Sequence, residues 1–170
     1  MRFSCEADFE AACTKLVINA ARILEAKGAS AACAESLTGG LLSSEIVRVP
    51  GSSLWFREGC VTYTDGAKER RLGVPQAVIG LHSAVSFETA LAMADGMRLT
   101  SGADIAVSTT GVAGPGADAE GHPEGMAFIG GSTPFGSCVK ELRLTGDRLE
   151  IRQQAVYAAL KLMLRLAELV

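Results

Sequence analysis

A run of small apolar residues, Ala31-Ala32-Cys33-Ala34, passes directly into Glu35-Ser36-Leu37-Thr38-Gly39-Gly40. The run is consistent with a short buried strand. Beyond it, Thr38 or the glycines open a helix that reads through about Arg48 and is ended by Pro50-Gly51. The junction gathers one carboxylate, two hydroxyls and two adjacent glycines where a strand must turn into a helix. Glycines let a ligand approach the backbone, the incoming helix offers free N–H groups, and a serine there can serve as a nucleophile. Three uses fit this chemistry: a phosphate cradle, an activated serine, or a well-capped helix.

The surrounding pattern alternates helices with short strands. Phe9, Leu16, Ala20, Ile23 and Leu24 recur at three- and four-residue steps, predicting a helix over Asp8–Lys27 with Gly28 as its stop. Trp55–Tyr63 has strand composition, Asp65–Arg71 reads as a short helix ended by Gly73, and the chain to Leu81 reads as loop. Ser86 caps a helix that ends near Gly102, and Ile105–Thr109 is an apolar run of strand length. After the glycine-rich loop Gly111–Gly125, Met126–Gly131 and Cys138–Leu144 read as a strand pair. Asp147 and Glu150 then open the last helix with a capping box. The order predicts an α/β fold with a mixed sheet in one domain over residues 1–170.

Composition excludes several classes of function. Hydrophobic residues make up 48% of the 170 and charged residues 21%, as expected of a globular chain. A net charge of −3 without any Lys/Arg run argues against nucleic-acid binding. No apolar stretch is long enough to span a bilayer, so no membrane partner is expected, and cytoplasm is the default location. Five cysteines without a C-x-x-C pair suggest reduced thiols, and two distant histidines give no metal spacing. No cofactor is implied.

Ser36 needs a base to act as a nucleophile. His82 leads into a helix and His122 lies in the glycine-rich loop, which leaves Lys68, after the strand end at Tyr63. A lysine base must lose its charge near neutrality, a change of about 4 kcal/mol that burial or a nearby positive charge can supply. On spacing alone the plainer reading of Lys68, a solvated helical lysine, is favoured. Ser108-Thr109-Thr110-Gly111-Val112-Ala113-Gly114-Pro115-Gly116 follows a strand, where α/β folds place ligands, but it is neither a P-loop nor a dinucleotide fingerprint. Arg148 and Arg152 lie one turn apart near the start of the last helix and suit a phosphate, or form a solvated pair. Glu35 can orient a ligand amine, hold Lys68, or cap a helix.

Taken together, these segments resemble the CinA C-terminal domain family, the nicotinamide-nucleotide amidohydrolases (NMN deamidases). The matching pieces are Ala34–Gly40, Pro50–Phe56, Val61-Thr62-Tyr63 with Ala67-Lys68, Ala84-Val85-Ser86, Thr110–Pro115 and Gly146-Asp147-Arg148, in order from about residue 10 to the C-terminus. The resemblance implies a three-layer α/β/α domain with a mixed, mostly parallel sheet. It implies hydrolysis of the carboxamide of nicotinamide mononucleotide to nicotinic acid mononucleotide and ammonia, in pyridine-nucleotide salvage, by a serine/lysine mechanism without metal. Ser36 would be the nucleophile, Lys68 the general base and Tyr63 a supporting catalytic residue. Glu35, Thr38, Gly39, Gly40, Ser53, Thr110 and Gly111 would form the substrate site, and Arg148, or Arg152, would meet the phosphate. The substrate's fixed pyridinium charge would itself disfavour a protonated lysine.

The chain departs from the family pattern at Gly116-Ala117-Asp118-Ala119-Glu120 and Pro123-Glu124-Gly125-Met126, where many members have further glycines and a Pro-Val-Gly-Thr, and at Ser83, often glycine. The larger N-terminal domain often fused to this unit is not in the sequence, which predicts a stand-alone deamidase. The family habit and the long apolar face of the last helix are compatible with a homodimer. Two other functions fit the residues: a nucleotide-binding module that has lost turnover, and an amidohydrolase acting on another small amide.

Overall fold

The computed structural model describes residues 3–170. Helix α1 (Glu6–Lys27) carries Glu6 and Asp8 in its first turn, where the helix dipole favours acids, and ends on Gly28 at φ 62°. Of its expected periodic residues, Phe9, Ala20 and Leu24 are buried and Leu16 and Ile23 are half-buried against the core, with Cys13 and Val17 completing the buried face. Strand β1 (Ala31–Glu35) is buried at every position. Ala31 and Cys33 face the core beneath α1, while Ala32 and Ala34 face the other side of the sheet. Period-two alternation thus puts small residues against both helical layers.

Helix α2 (Leu41–Val47) and a 3₁₀ turn (Ser52–Leu54) lead into β2 (Phe56–Val61). Three helices follow: α3 (Asp65–Leu72), α4 (Gln76–His82) and α5 (Phe87–Ser101). Strand β3 (Ile105–Gly111), the hairpin of β4 (Met126–Thr133) and β5 (Gly136–Arg143), and helix α6 (Arg148–Leu169) complete the chain. The sheet order is β2-β1-β3-β4-β5. β1 is parallel to β2 and β3, while the β3–β4 and β4–β5 pairs are antiparallel, so only β4 runs against the rest. Helices α1, α2 and α6 pack together on one face, with α6 against β3 and β4; α5, with α3 and α4 beside it, covers the other. The expected three layers and mixed sheet are present.

Local chemistry explains the boundaries. Asp147 accepts from Glu150 N at 2.9 Å while Glu150 accepts from Asp147 N at 2.8 Å, the reciprocal cap expected at the start of α6. Ser86 accepts from Thr89 N at 3.1 Å, as expected of the α5 cap. A side chain at Gly130 would collide with the Ala90 carbonyl and Ser108 Oγ, so α5 lies close on β4 because this position is bare. Two expectations are corrected. Helix α4 forms where the sequence reads as loop: Pro75 sits at its N-cap, but none of its residues is buried, so it has no apolar period to detect. The glycines before α2 form a turn, with φ 58° at Gly39 and 94° at Gly40, and the helix begins only at Leu41.

The register matters most for the site. Val61, Glu35 and Thr109 lie side by side across β2, β1 and β3. Thr62 N donates to Glu35 O at 2.7 Å and Ser36 N to Thr109 O at 2.9 Å, extending the ladder one residue further. Everything that leaves the carboxyl ends of these parallel strands therefore emerges together, as ligand sites in α/β folds do.

Candidate active site

Glu35 forms the foundation of the site. It is fully buried, and its two oxygens accept five hydrogen bonds from N–H and O–H donors: Thr38 Oγ1 at 2.7 Å, Gly40 N at 2.9 Å, Leu42 N at 3.0 Å, Ser43 N at 2.8 Å and Ser43 Oγ at 2.6 Å, with the Cys33 thiol a weak sixth donor at 4.0 Å. Three of the donors are backbone N–H groups at the start of α2, which has no side-chain cap of its own at Gly40. The carboxylate supplies that cap from β1, and the charge-assisted bonds fix the turn. Glu35, expected in the substrate site, is therefore enclosed beneath the cleft and does not line it. Thr38 is buried too, shared between Glu35 and Thr109 Oγ1 at 2.8 Å.

With capping assigned to Glu35, the Ser36 hydroxyl is released from it. Ser36 is 9% exposed and its side chain joins the wall of a cleft of about 200 Å³. Leu37, Tyr63, Asp65, Lys68, Ala84, Val85, Thr110, Gly111, Ala113 and Arg148 form the rest of that wall.

Lys68 comes from α3, whose first turn is capped by Thr64 Oγ1 accepting from Ala67 N at 3.3 Å. The lysine is 2% exposed, and its charged partner is Asp65 Oδ1 at 3.8 Å, beyond hydrogen-bond range. Burial lowers its pKa from the ordinary lysine value, and the Asp65 charge partly opposes the shift. The solvated-lysine alternative is thus removed: this is a buried amine with one weak counter-ion. Thr110 Oγ1 donates to Ala84 O at 2.6 Å, which ties the end of β3 to the approach to α5.

Arg148, the first residue of α6, closes the far side. Its guanidinium donates to Gly114 O at 2.5 Å and to Tyr63 Oη at 3.1 Å. These contacts join the cleft to a neighbouring groove of about 260 Å³ walled by Tyr63, Gly111–Asp118 and Arg148. Arg152 points elsewhere: Nε and Nη2 donate to Thr38 O at 3.2 and 2.7 Å, bracing the turn. Gly39, Gly40, Ser53 and Arg152 line neither cavity, and Ser53 sits exposed on the 3₁₀ turn. The fold thus brings together Ser36, Tyr63, Lys68, Thr110, Gly111 and Arg148.

Sequence reasoning passed over Asp65, Ala84 and Val85. The last two lie in a segment that matched the family, and Asp65 reads as an ordinary first-turn acid. A further cavity of about 210 Å³ between β5 and α6 contains none of the expected residues. Among the described residues, no group of three or more His, Cys, Asp or Glu side chains is placed to hold a metal ion, and no helix is long and apolar enough to cross a membrane.

Fold and site define an α/β domain with a serine and a buried lysine in a cleft at the carboxyl ends of parallel strands. The CinA C-terminal domain family model matches residues 13–167, and the chain belongs to that family. It is 43% identical over 142 residues to a CinA-like protein of Acidobacterium capsulatum, covering 84% of this chain and 34% of that protein. A CinA-like protein of Geobacter sulfurreducens is likewise 43% identical over 140 residues, covering 82% and 34%. The chain spans about a third of the length of the curated relatives it matches. The crystal structure of a competence-damaged protein (CinA) superfamily protein from Klebsiella pneumoniae superposes with a TM-score of 0.88 at 30% identity, covering 93% of this chain and 99% of that one. The competence/damage inducible protein CihA from Agrobacterium tumefaciens gives 0.86 at 36% identity, covering 91% and 95%.

Proposed function

We propose that this domain hydrolyses the carboxamide of nicotinamide mononucleotide, giving nicotinic acid mononucleotide and ammonia. The observation that carries the reading is the presence of Ser36 and the buried, pKa-lowered Lys68 in the wall of one cleft. Neutral Lys68 takes the Ser36 proton as Oγ attacks the amide carbon. The developing oxyanion needs a donor beside the nucleophile. Gly39 N–H is committed to Ser36 O and Gly40 N–H to Glu35, which leaves those of Leu37 and Thr38; of these two residues only Leu37, the one after the serine, is in the cleft wall. Lys68 returns the proton to the departing nitrogen, ammonia leaves, and water cleaves the acyl ester to free the carboxylate and restore Ser36.

The adjoining groove gives the rest of the nucleotide a place. Arg148 stands between cleft and groove, so the amide end binds against Ser36 and the ribose phosphate extends past Arg148 along the Gly111–Asp118 loop. Incubating the protein with nicotinamide mononucleotide should release ammonia and nicotinic acid mononucleotide in equal amounts. Tight binding with neither product would instead assign a nucleotide-binding module, and ammonia from other small amides alone would assign a different substrate.

A further inference from the structure

We infer that Asp65 determines substrate specificity in the cleft, receiving the positively charged ring of an N-alkylpyridinium carboxamide and so separating such substrates from neutral aromatic amides. The inference rests on the carboxamide-hydrolase reading above and adds to it the residue that recognises the ring's charge.

Three side chains of formal charge line the cleft: Lys68, Arg148 and Asp65. Asp65 is the single acid among them. Arg148 makes no ion pair with it; that guanidinium donates instead to Gly114 O and Tyr63 Oη. Lys68 does so only weakly, at 3.8 Å, and the Asp65 side chain is 54% exposed. Three acids of neighbouring elements have partners of their own, and none of them lines the cleft. Glu88 on α5 lies 3.6 Å from His82, Asp95 accepts from Ser132, and Glu35 is enclosed by α2. Leu37, Ala84, Val85 and Ala113 provide apolar walls for a flat ring. A neutral amide gains nothing from a half-exposed carboxylate at the edge of such a slot, whereas a ring with fixed positive charge gains an ion pair.

The same geometry links recognition to chemistry. Asp65 is the counter-ion that holds the Lys68 ammonium. A ring cation that takes over Asp65 leaves that ammonium without its partner and beside a like charge, so its proton departs more readily. Substrate entry then prepares the base, and a neutral amide that enters the same cleft does not.

The test compares N1-methylnicotinamide, a cation, with nicotinamide, its neutral parent, by calorimetric titration of the Ser36→Ala protein. The cation should bind about fivefold more tightly, the scale of one partly exposed ion pair. Adding Asp65→Asn should bring the ratio to about one with nicotinamide affinity unchanged. The Asp65 side chain makes no hydrogen bond among the described residues, so the isosteric change removes only its charge beside Lys68, and the thermal transition should fall by no more than a partly exposed ion pair is worth. Without the second substitution, raising salt from about 0.05 to 0.5 M should weaken the cation and spare the neutral amide, because screening acts on the charge alone. A ratio that survives Asp65→Asn, or a cation that binds no better than nicotinamide, overturns the inference. Hydrolysis is read separately: loss of the hydrolase reading leaves a charge-dependent ratio standing, and turnover with a charge-blind cleft does the reverse.

Discussion

The floor of the cleft and its α3 wall each bury one ionisable side chain, and the two are treated in opposite ways. Glu35 is surrounded by donors, with five hydrogen bonds filling both oxygens. Lys68 is almost as deeply buried and has a single carboxylate at 3.8 Å. A buried charge saturated with partners is held in one state and fixes the backbone around it. A buried charge left short of partners is poised to change state, as a general base requires. The contrast separates structure from chemistry around one cleft, where residue type alone suggested that both were functional.

The largest effects should come from breaking each side of that contrast. Lys68→Ala should lower kcat for carboxamide hydrolysis by at least about 10³-fold, while the denaturation midpoint holds or rises, because a poorly compensated buried charge is removed. Glu35→Ala should do the opposite first, destabilising the fold by about 3–5 kcal/mol in urea titrations, since it leaves the α2 donors buried and unpaired. A destabilised Lys68→Ala protein, or an unperturbed Glu35→Ala protein, would reverse the assignment of the two charges.

Smaller effects sharpen it. Arg148→Ala should raise KM for the nucleotide about tenfold with little change in kcat. Arg152→Ala should instead cost about 1 kcal/mol of stability, because its bonds go to Thr38 O rather than to the groove. The pH profile gives the finest test. With Lys68 as the proposed base, hydrolysis requires its neutral form, so kcat/KM should rise with pH through an apparent pKa below the ordinary lysine value of 10.5. Asp65 opposes the effect of burial, so Asp65→Asn should move that limb to still lower pH. An unmoved limb would separate the lysine from Asp65.

Much of this arrangement was legible in the sequence, because it rests on short-range signals. Caps at Ser86 and Asp147, the stop at Gly28 and the apolar periods of α1 and α6 are local features, and the structure keeps them. The cleft residues Ser36, Lys68, Thr110 and Arg148 sit at strand ends or helix starts, which α/β topology brings together whatever the loop lengths. What escaped was set by burial and direction. Helix α4 has no fully buried residue, only Ile79 packed partly against the core, and so leaves no clear pattern. Glu35 and Ser36 are neighbours, yet strand alternation sends one side chain under α2 and the other into the cleft. Arg148 and Arg152 share a helix face in sequence, but one reaches Gly114 and the other Thr38. Asp65 acquires its meaning only once Lys68 is seen to be buried beside it.

The central claim is that Ser36, set free by the Glu35 cap, attacks a carboxamide with Lys68 as its base. Measuring ammonia released from nicotinamide mononucleotide by the unmodified protein and by Ser36→Ala tests it most directly. The account predicts steady release by the first and a loss of about 10⁴-fold or more in the second, with the thermal transition preserved. Equal release by both proteins would contradict it.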